Sequence, residues 1–210
     1  LRVIGLTGGI AMGKSTVAAL FRRAQVPVFD ADAAVHRLQA AGGDAVAPIA
    51  SLVPGALVGG GIDRARLRRA VLEDRSLLPV LERIIHPLVG RERAGFLARA
   101  RSAGAPFVVL DVPLLFETGG DRDCDLVVAV TAPRALQRQR IVARRTMSAA
   151  EADRIIARQM DDRARRARAD IVVCTGLSRH HAARQVLRLL DQLRSEAPIS
   201  RRRTRRRDIH

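Results

Sequence analysis

A chain of 210 residues, 48% of them apolar, holds enough hydrophobic material for one sizeable α/β core with room for a helical insertion, and its longest apolar runs are far too short to span a membrane. Its net charge of +16 does not point to a specific nucleic-acid partner, because eleven arginines fall between Arg134 and Arg168, six more lie in the terminal run from Arg201 to Arg207, and the only aromatics are five Phe. The absence of asparagine and the presence of one lysine, Lys14, exclude the Asn-Lys-x-Asp guanine signature of regulatory GTPases.

The first apolar run, Val3 to Thr7, reads as a strand and leads into Gly8-Gly9-Ile10-Ala11-Met12-Gly13-Lys14-Ser15-Thr16, after which Thr16 to Phe21 reads as helix. This is G-x-x-x-x-G-K-S in the strand, loop, helix context of a phosphate-binding P-loop. Glycines let the loop turn tightly and bring backbone N–H groups around an anion, and the positive end of the following helix favours negative charge. The stretch Gly9, Ile10, Ala11, Met12, Gly13, Lys14, Ser15 and Thr16 is therefore the expected ATP cradle. Lys14 would reach the β- and γ-phosphates, and the Ser15 hydroxyl would coordinate Mg²⁺. A sequence that uses arginine everywhere else keeps lysine where a compact ammonium fits and a planar guanidinium does not.

Gln25 to Phe29 reads as a second strand, ending in Asp30-Ala31-Asp32. Ligands of open α/β sheets bind outside the carboxyl ends of the strands, where these aspartates and the P-loop both fall. Asp32 can accept the proton of a substrate hydroxyl during phosphoryl transfer; Asp30 either contacts a metal-bound water or caps the helix that begins near Ala33. From about 33 to 102 the pattern is helical, broken at Gly42-Gly43, Pro54-Gly55 and Gly59-Gly60-Gly61, which is too long for a simple crossover and suggests an inserted substrate-binding region. Asp63 is the expected N-cap of a helix from Arg64 to Leu72. In His86-Pro87-Leu88 the proline disfavours helix at His86 and can begin the next helix.

Pro106 to Asp111 is the clearest buried strand, and its final carboxylate either supports Mg²⁺ as a Walker-B aspartate or simply starts a loop. The following Val112-Pro113-Leu114-Leu115-Phe116-Glu117 is unusually apolar for a loop, so Leu114 suits either a ligand surface or packing beneath the insertion. Cys124 to Val130 gives a fourth strand. The helix begun at Thr131 and Pro133 sets Gln137, Arg140 and Arg144 on one face. Ser148 and Glu151 have capping-box spacing for a second helix, Ala149 to Gln159. Together they form either a lid of about 137–165 closing over phosphates, with Arg140 and Arg144 on ATP, or a solvated basic face. Ala169 to Cys174 is a fifth strand and Ser178 to Leu193 a closing amphipathic helix. Residues 198–210 are expected to be a disordered basic tail. Cys124 and Cys174 lack metal-ligand spacing and read as reduced core thiols of the cytoplasm.

Taken together, Leu6 to Ile10 with Gly13 to Val17, Asp30-Ala31-Asp32, Ile85-His86-Pro87-Leu88, Val112 to Glu117, and the Gln137, Arg140, Arg144 helix followed by Ala169-Asp170 resemble the dephospho-CoA kinase family over residues 2–195. The resemblance implies a P-loop NTPase three-layer α/β fold with a five-stranded parallel sheet, a helical CoA-binding insertion and a small lid. It implies transfer of the ATP γ-phosphoryl group to the ribose 3′-hydroxyl of dephospho-CoA, with Mg²⁺, by a cytoplasmic and usually monomeric enzyme. Asp32 then matches the base, Lys14 and Ser15 the phosphate and Mg²⁺ ligands, Arg140 the phosphate-contacting lid arginine, and His86 the substrate side. The alternative is a P-loop kinase for another small molecule, such as a nucleoside or nucleotide, which shares the loop and lid and differs in the acceptor site. Three departures stand out. Ala11-Met12 replaces the family's Gly-Ser, which costs roughly 1 kcal/mol if position 11 has positive φ. Val173-Cys174-Thr175 lacks the Asp and Asn usual near adenine, and the arginine tail lies outside the family pattern.

Overall fold

The computed structural model describes residues 1–145 and 148–195, with side chains described up to residue 143 and from 148 onward. The tail at 198–210 and the side chain of Arg144 therefore lie outside the described residues. Five strands form one sheet: β1 (Arg2–Gly8), β2 (Val28–Asp30), β5 (Phe107–Asp111), β6 (Leu126–Thr131) and β7 (Ile171–Cys174), in the order β2-β5-β1-β6-β7. The pairs of β1 with β5, β1 with β6, and β6 with β7 are parallel, with Ile4 opposite Val109 and Leu126. The sheet is buried on both faces, which is why its strands read as continuous apolar runs. On one face α1 (Lys14–Arg23) and the closing α9 (Arg179–Arg194) bury Val17, Phe21, Val186 and Leu190 against Ile4, Leu6 and Val128. A second cluster holds Leu115, Phe116, Val127, Ala129 and Ala169.

Register is pinned by carboxylates at the strand starts. Asp125 Oδ2 accepts the Val3 N–H at 2.8 Å, and Asp170 Oδ2 accepts the Val127 N–H at 2.8 Å. Each aspartate satisfies a donor at the start of the neighbouring strand, where the ladder has not yet begun.

Leu1–Val28 with the described residues from Pro106 onward forms one compact unit, and Phe29–Ala105 forms a second. The second unit contains α2 (Ala31–Gln39), α3 (Val46–Leu52), the short strands β3 (Leu57–Val58) and β4 (Gly61–Ile62), α4 (Arg64–Glu73) and α5 (Leu77–Ser102) around a core of Leu38, Ile49, Leu67 and Leu81. Asp63 caps α4 as expected, accepting from the Ala65 and Arg66 N–H groups.

Four features differ from the sequence expectation. The second strand begins at Val28, not Gln25, because α1 closes with the Val26 N–H on Phe21 O, the Gln25 N–H on Arg22 O, and Gln25 at φ 61. That is a Schellman turn in which glutamine takes the place usually held by glycine, so no glycine marks it. The break at Gly59-Gly60 is the tip of the antiparallel β3–β4 hairpin, with φ 57 and 78 at its two residues, the signs of a type I′ turn. Pro87 does not divide a helix: α5 runs unbroken through it for 26 residues. Packing of Leu81, Ile84, Ile85, Leu88 and Val89 on both sides of the proline outweighs the lost hydrogen bond. Finally, α6 (Arg134–Arg145) and α7 (Ala149–Ala157) are followed by α8 (Asp162–Arg168), capped by Asp161 and absent from the sequence reading.

Candidate active site

The loop between β1 and α1 has the backbone its sequence requires. Gly13 sits at φ 90 as the N-cap of α1, and a Cβ there would approach Thr175 Oγ1 to 2.8 Å, so both conformation and space demand glycine. Ala11 has φ 56, the left-handed region that disfavours an L side chain. The conditional strain anticipated for Ala11 is thus present.

Side chains distant in sequence hold the loop from outside. The Ile10 N–H donates to Gln159 Oε1 at 2.8 Å, while Gln137 Nε2 donates to Ile10 O at 2.9 Å. Arg140 Nη1 donates to Ala11 O at 3.3 Å and to Thr175 Oγ1 at 3.2 Å, and its Nη2 donates to Thr175 O at 2.9 Å. Thr175 Oγ1 donates to Met12 O at 2.5 Å. Three consecutive carbonyls, those of Ile10, Ala11 and Met12, are therefore engaged by α6 and by the residue after β7. By contrast, the N–H groups of Ala11, Gly13, Lys14 and Ser15 have no hydrogen-bond partner among the described residues. Such a row of donors at a helix N-terminus is what an anion binds.

Lys14, the residue that opens α1, donates to Asp111 Oδ1 at the carboxyl end of β5. The pair is largely enclosed, with side-chain exposures of 16% and 4%. Ser15 follows on the exposed side of α1. Thr7 Oγ1 donates to Pro113 O at 3.0 Å, fixing the start of the loop after Asp111. In that loop Leu115 and Phe116 are buried, whereas Leu114 is 46% exposed. Arg168 stacks over Phe116, 4.4 Å from its ring centre.

Beneath the loop, Arg165 of α8 is 2% exposed, donates through Nη2 to Met160 O at 2.8 Å, and lines a cavity of about 310 Å³ with Met12, Gln137 and Gln159. The capping box of α7 is complete, with Glu151 accepting from both the hydroxyl and the backbone N–H of Ser148. Those hydrogen bonds, the hydroxyl first, hold the Glu151 carboxyl below its ordinary value.

Asp30 Oδ1 accepts the Ala33 N–H at 2.9 Å, so it caps α2, and Asp32 stands exposed in the first turn of that helix. His86 is exposed on α5. Thus Lys14, Ser15, Asp111 and Arg140 gather around one loop, and Asp32 and His86 belong to the second unit. Gln159, Arg165 and the tethering role of Thr175 were not legible beforehand; the available signal was the departure from the family pattern around Val173-Cys174-Thr175.

A family described as dephospho-CoA kinase matches residues 2–178. A protein named dephospho-CoA kinase from Gluconobacter oxydans is 52% identical over 198 residues, covering 92% of this chain and 98% of its own length. One of the same name from Cereibacter sphaeroides is 52% identical over 188 residues, covering 89% and 92%. Among solved structures, TT1252 from Thermus thermophilus is similar with a TM-score of 0.78 at 36% identity, covering 90% of this chain and 95% of that one. The dephospho-CoA kinase of Campylobacter jejuni shares the fold, with a TM-score of 0.69 at 20% identity and coverage of 91% and 96%. The chain belongs to the dephospho-CoA kinase family.

Proposed function

We propose that the protein catalyses ATP-dependent phosphorylation of the ribose 3′-hydroxyl of dephospho-CoA, giving coenzyme A and ADP, the final step of coenzyme A synthesis. The observation that carries this reading is the family match over residues 2–178, which begins with a P-loop whose N–H groups at Ala11, Gly13, Lys14 and Ser15 have no partner among the described residues.

In this reading the backbone from Gly9 to Thr16 wraps the ATP phosphates, and Lys14 exchanges part of its contact with Asp111 for the β- and γ-phosphates. Arg140, with five N–H donors, Nη1 engaged on the loop carbonyl of Ala11 and Nη2 on Thr175 O, adds positive charge beside the phosphates, and Arg144 serves ATP from the same helix. Asp32 takes the proton of the 3′-hydroxyl as the oxygen attacks phosphorus, while His86 and Leu114 contact the acceptor.

The donor set suits Mg²⁺. Among the described residues no cluster of three or more His, Cys, Asp or Glu side chains forms a protein-only metal cage. Mg²⁺ on a nucleotide is held by one or two protein oxygens together with phosphates and water, and Ser15 and Asp111 supply that many. When bound, the ion would neutralise charge between the β- and γ-phosphates. The reading includes a cytoplasmic monomer; two cysteines, Cys124 and Cys174, that form no disulfide agree with a reducing compartment, and among the described residues no helix is long and apolar enough to cross a membrane.

The test is an acceptor panel. Purified protein with Mg²⁺ and ATP is given dephospho-CoA, adenosine, a nucleoside monophosphate or shikimate, and ADP release and the product are measured. Dephospho-CoA should give 3′-phosphorylated product at the highest kcat/KM. Preferred turnover of another acceptor would replace this reading with a kinase of different substrate.

A further inference from the structure

We propose that Thr175 is a positioning residue of the phosphate-binding loop: its hydroxyl holds the Met12 carbonyl outward and thereby aims the Gly13 N–H at the bound phosphates. The inference rests on the reading of this loop as a phosphate site. Thr175 ends the Val173-Cys174-Thr175 stretch in which the chain departs from the family pattern, and its side chain is bonded to the loop backbone.

Thr175 follows β7 and is itself immobilised. Its N–H donates to Thr131 O at 2.9 Å, its carbonyl accepts from Arg140 Nη2 at 2.9 Å, and the residue is 7% exposed. A hydroxyl has one hydrogen and two acceptor sites. Here the hydrogen goes to Met12 O, and one acceptor site takes the Arg140 Nη1 donor. The hydroxyl thus links a charged guanidinium to a loop carbonyl, and a hydrogen bond assisted by a charge is the stronger kind.

The consequence for the loop follows from peptide geometry. No cis peptide occurs among the described residues, so the carbonyl of Met12 and the N–H of Gly13 point in opposite directions across one planar unit. Fixing the carbonyl on Thr175 turns the N–H away from Thr175. The same holds at Ile10, where Gln137 holds the carbonyl and the opposed group is the Ala11 N–H. These opposed N–H groups are among those left without a partner among the described residues. The contact is also close: a Cβ on Gly13 would stand 3.1 Å from both Cβ and Cγ2 of Thr175. Thr175 therefore sets the peptide orientation and, together with the positive φ, the requirement for glycine at 13.

Thr175→Val keeps the shape and removes both functions of the hydroxyl, while Thr175→Ser restores them. Inorganic tripolyphosphate is the probe, since it carries the phosphates of ATP without base or ribose. Calorimetry should show ATP and tripolyphosphate each bound about tenfold more weakly by Thr175→Val, the loss of one net hydrogen bond, with both affinities recovered in Thr175→Ser. The KM for dephospho-CoA should not change. Gln137→Met, which frees the Ile10 carbonyl, should weaken tripolyphosphate in the same direction and serves if the valine variant does not fold. Unchanged tripolyphosphate affinity in the folded variants overturns the inference, and a loss confined to ATP assigns Thr175 to the base instead. If the unaltered protein does not bind tripolyphosphate in competition with ATP, the loop reading fails and the inference with it.

Discussion

Ala11 offers a direct measure of strain in the phosphate loop. At φ 56 it holds a conformation that costs an L residue about 1–2 kcal/mol, a cost glycine does not bear. Replacing it by glycine also loosens the unfolded chain, which opposes the gain by about 0.4–1 kcal/mol. The tether from Arg140 Nη1 to Ala11 O uses the backbone and survives the change. The net expectation for Ala11→Gly is therefore a stabilisation of roughly 0.5–1 kcal/mol. For a domain of this size that corresponds to a rise in Tm of about 2 °C. Ala11→Val is the opposing control, because a β-branched residue is an outlier at positive φ and should lower Tm by more than glycine raises it. Calorimetric melting without nucleotide reads both. If Ala11→Gly melts at or below the temperature of the unaltered protein, the methyl group is stabilising through packing and the strain argument is wrong.

Removing the P-loop lysine should have two separable effects. Lys14→Ala abolishes turnover, and it also destabilises the nucleotide-free protein by about 3 kcal/mol, because the 4%-exposed Asp111 carboxylate loses the Lys14 ammonium. Adding Asp111→Asn should recover most of the stability in urea titrations and none of the activity. Asp32→Asn should lower kcat by about a hundredfold or more, as loss of a general base does, with ATP affinity measured by calorimetry unchanged; near-normal turnover removes Asp32 from the mechanism. Glu151 is held below its ordinary value of 4.5 chiefly by the Ser148 hydroxyl, so the capping box contributes fully above that pH and is lost as pH falls through the lower folded value. The Ser148 amide resonance should accordingly stay constant from neutral pH to about 5 and shift below it, and Glu151→Gln should flatten that titration.

The central strands were legible because a sheet buried on both faces imposes uninterrupted apolar runs, and no alternation of apolar and polar residues is needed where Phe107, Val108, Val109 and Leu110 are all buried. The caps at Asp63 and Ser148 were legible too, since each acts on the backbone two or three residues away. What escaped depended on long-range packing or on an unusual residue. Pro87 stays helical because apolar neighbours hold both halves of α5, and Gln25 turns left-handed where only glycine would have signalled it. The loop tethers escaped for the same reason. Gln159 lies 149 residues from Ile10 along the chain, and a side chain that serves another segment's backbone leaves no local pattern.

Arg140 shows why this matters for the chemistry. The sequence assigns it to the phosphates, and the structure has its guanidinium on Ala11 O and on Thr175. A positive charge placed by those contacts needs little rearrangement when an anion arrives, which is the condition under which fixed donors stabilise developing charge most effectively. The same contacts hold Ala11 in a conformation it would not adopt alone, as strained residues at functional sites are held by what surrounds them. Loop strain and loop bracing are thus two sides of one arrangement: the carbonyls are drawn outward by Gln137, Arg140 and Thr175, the N–H groups at Ala11 and Gly13 are turned the other way, and part of the ordering that phosphate binding would otherwise require is accomplished when the chain folds.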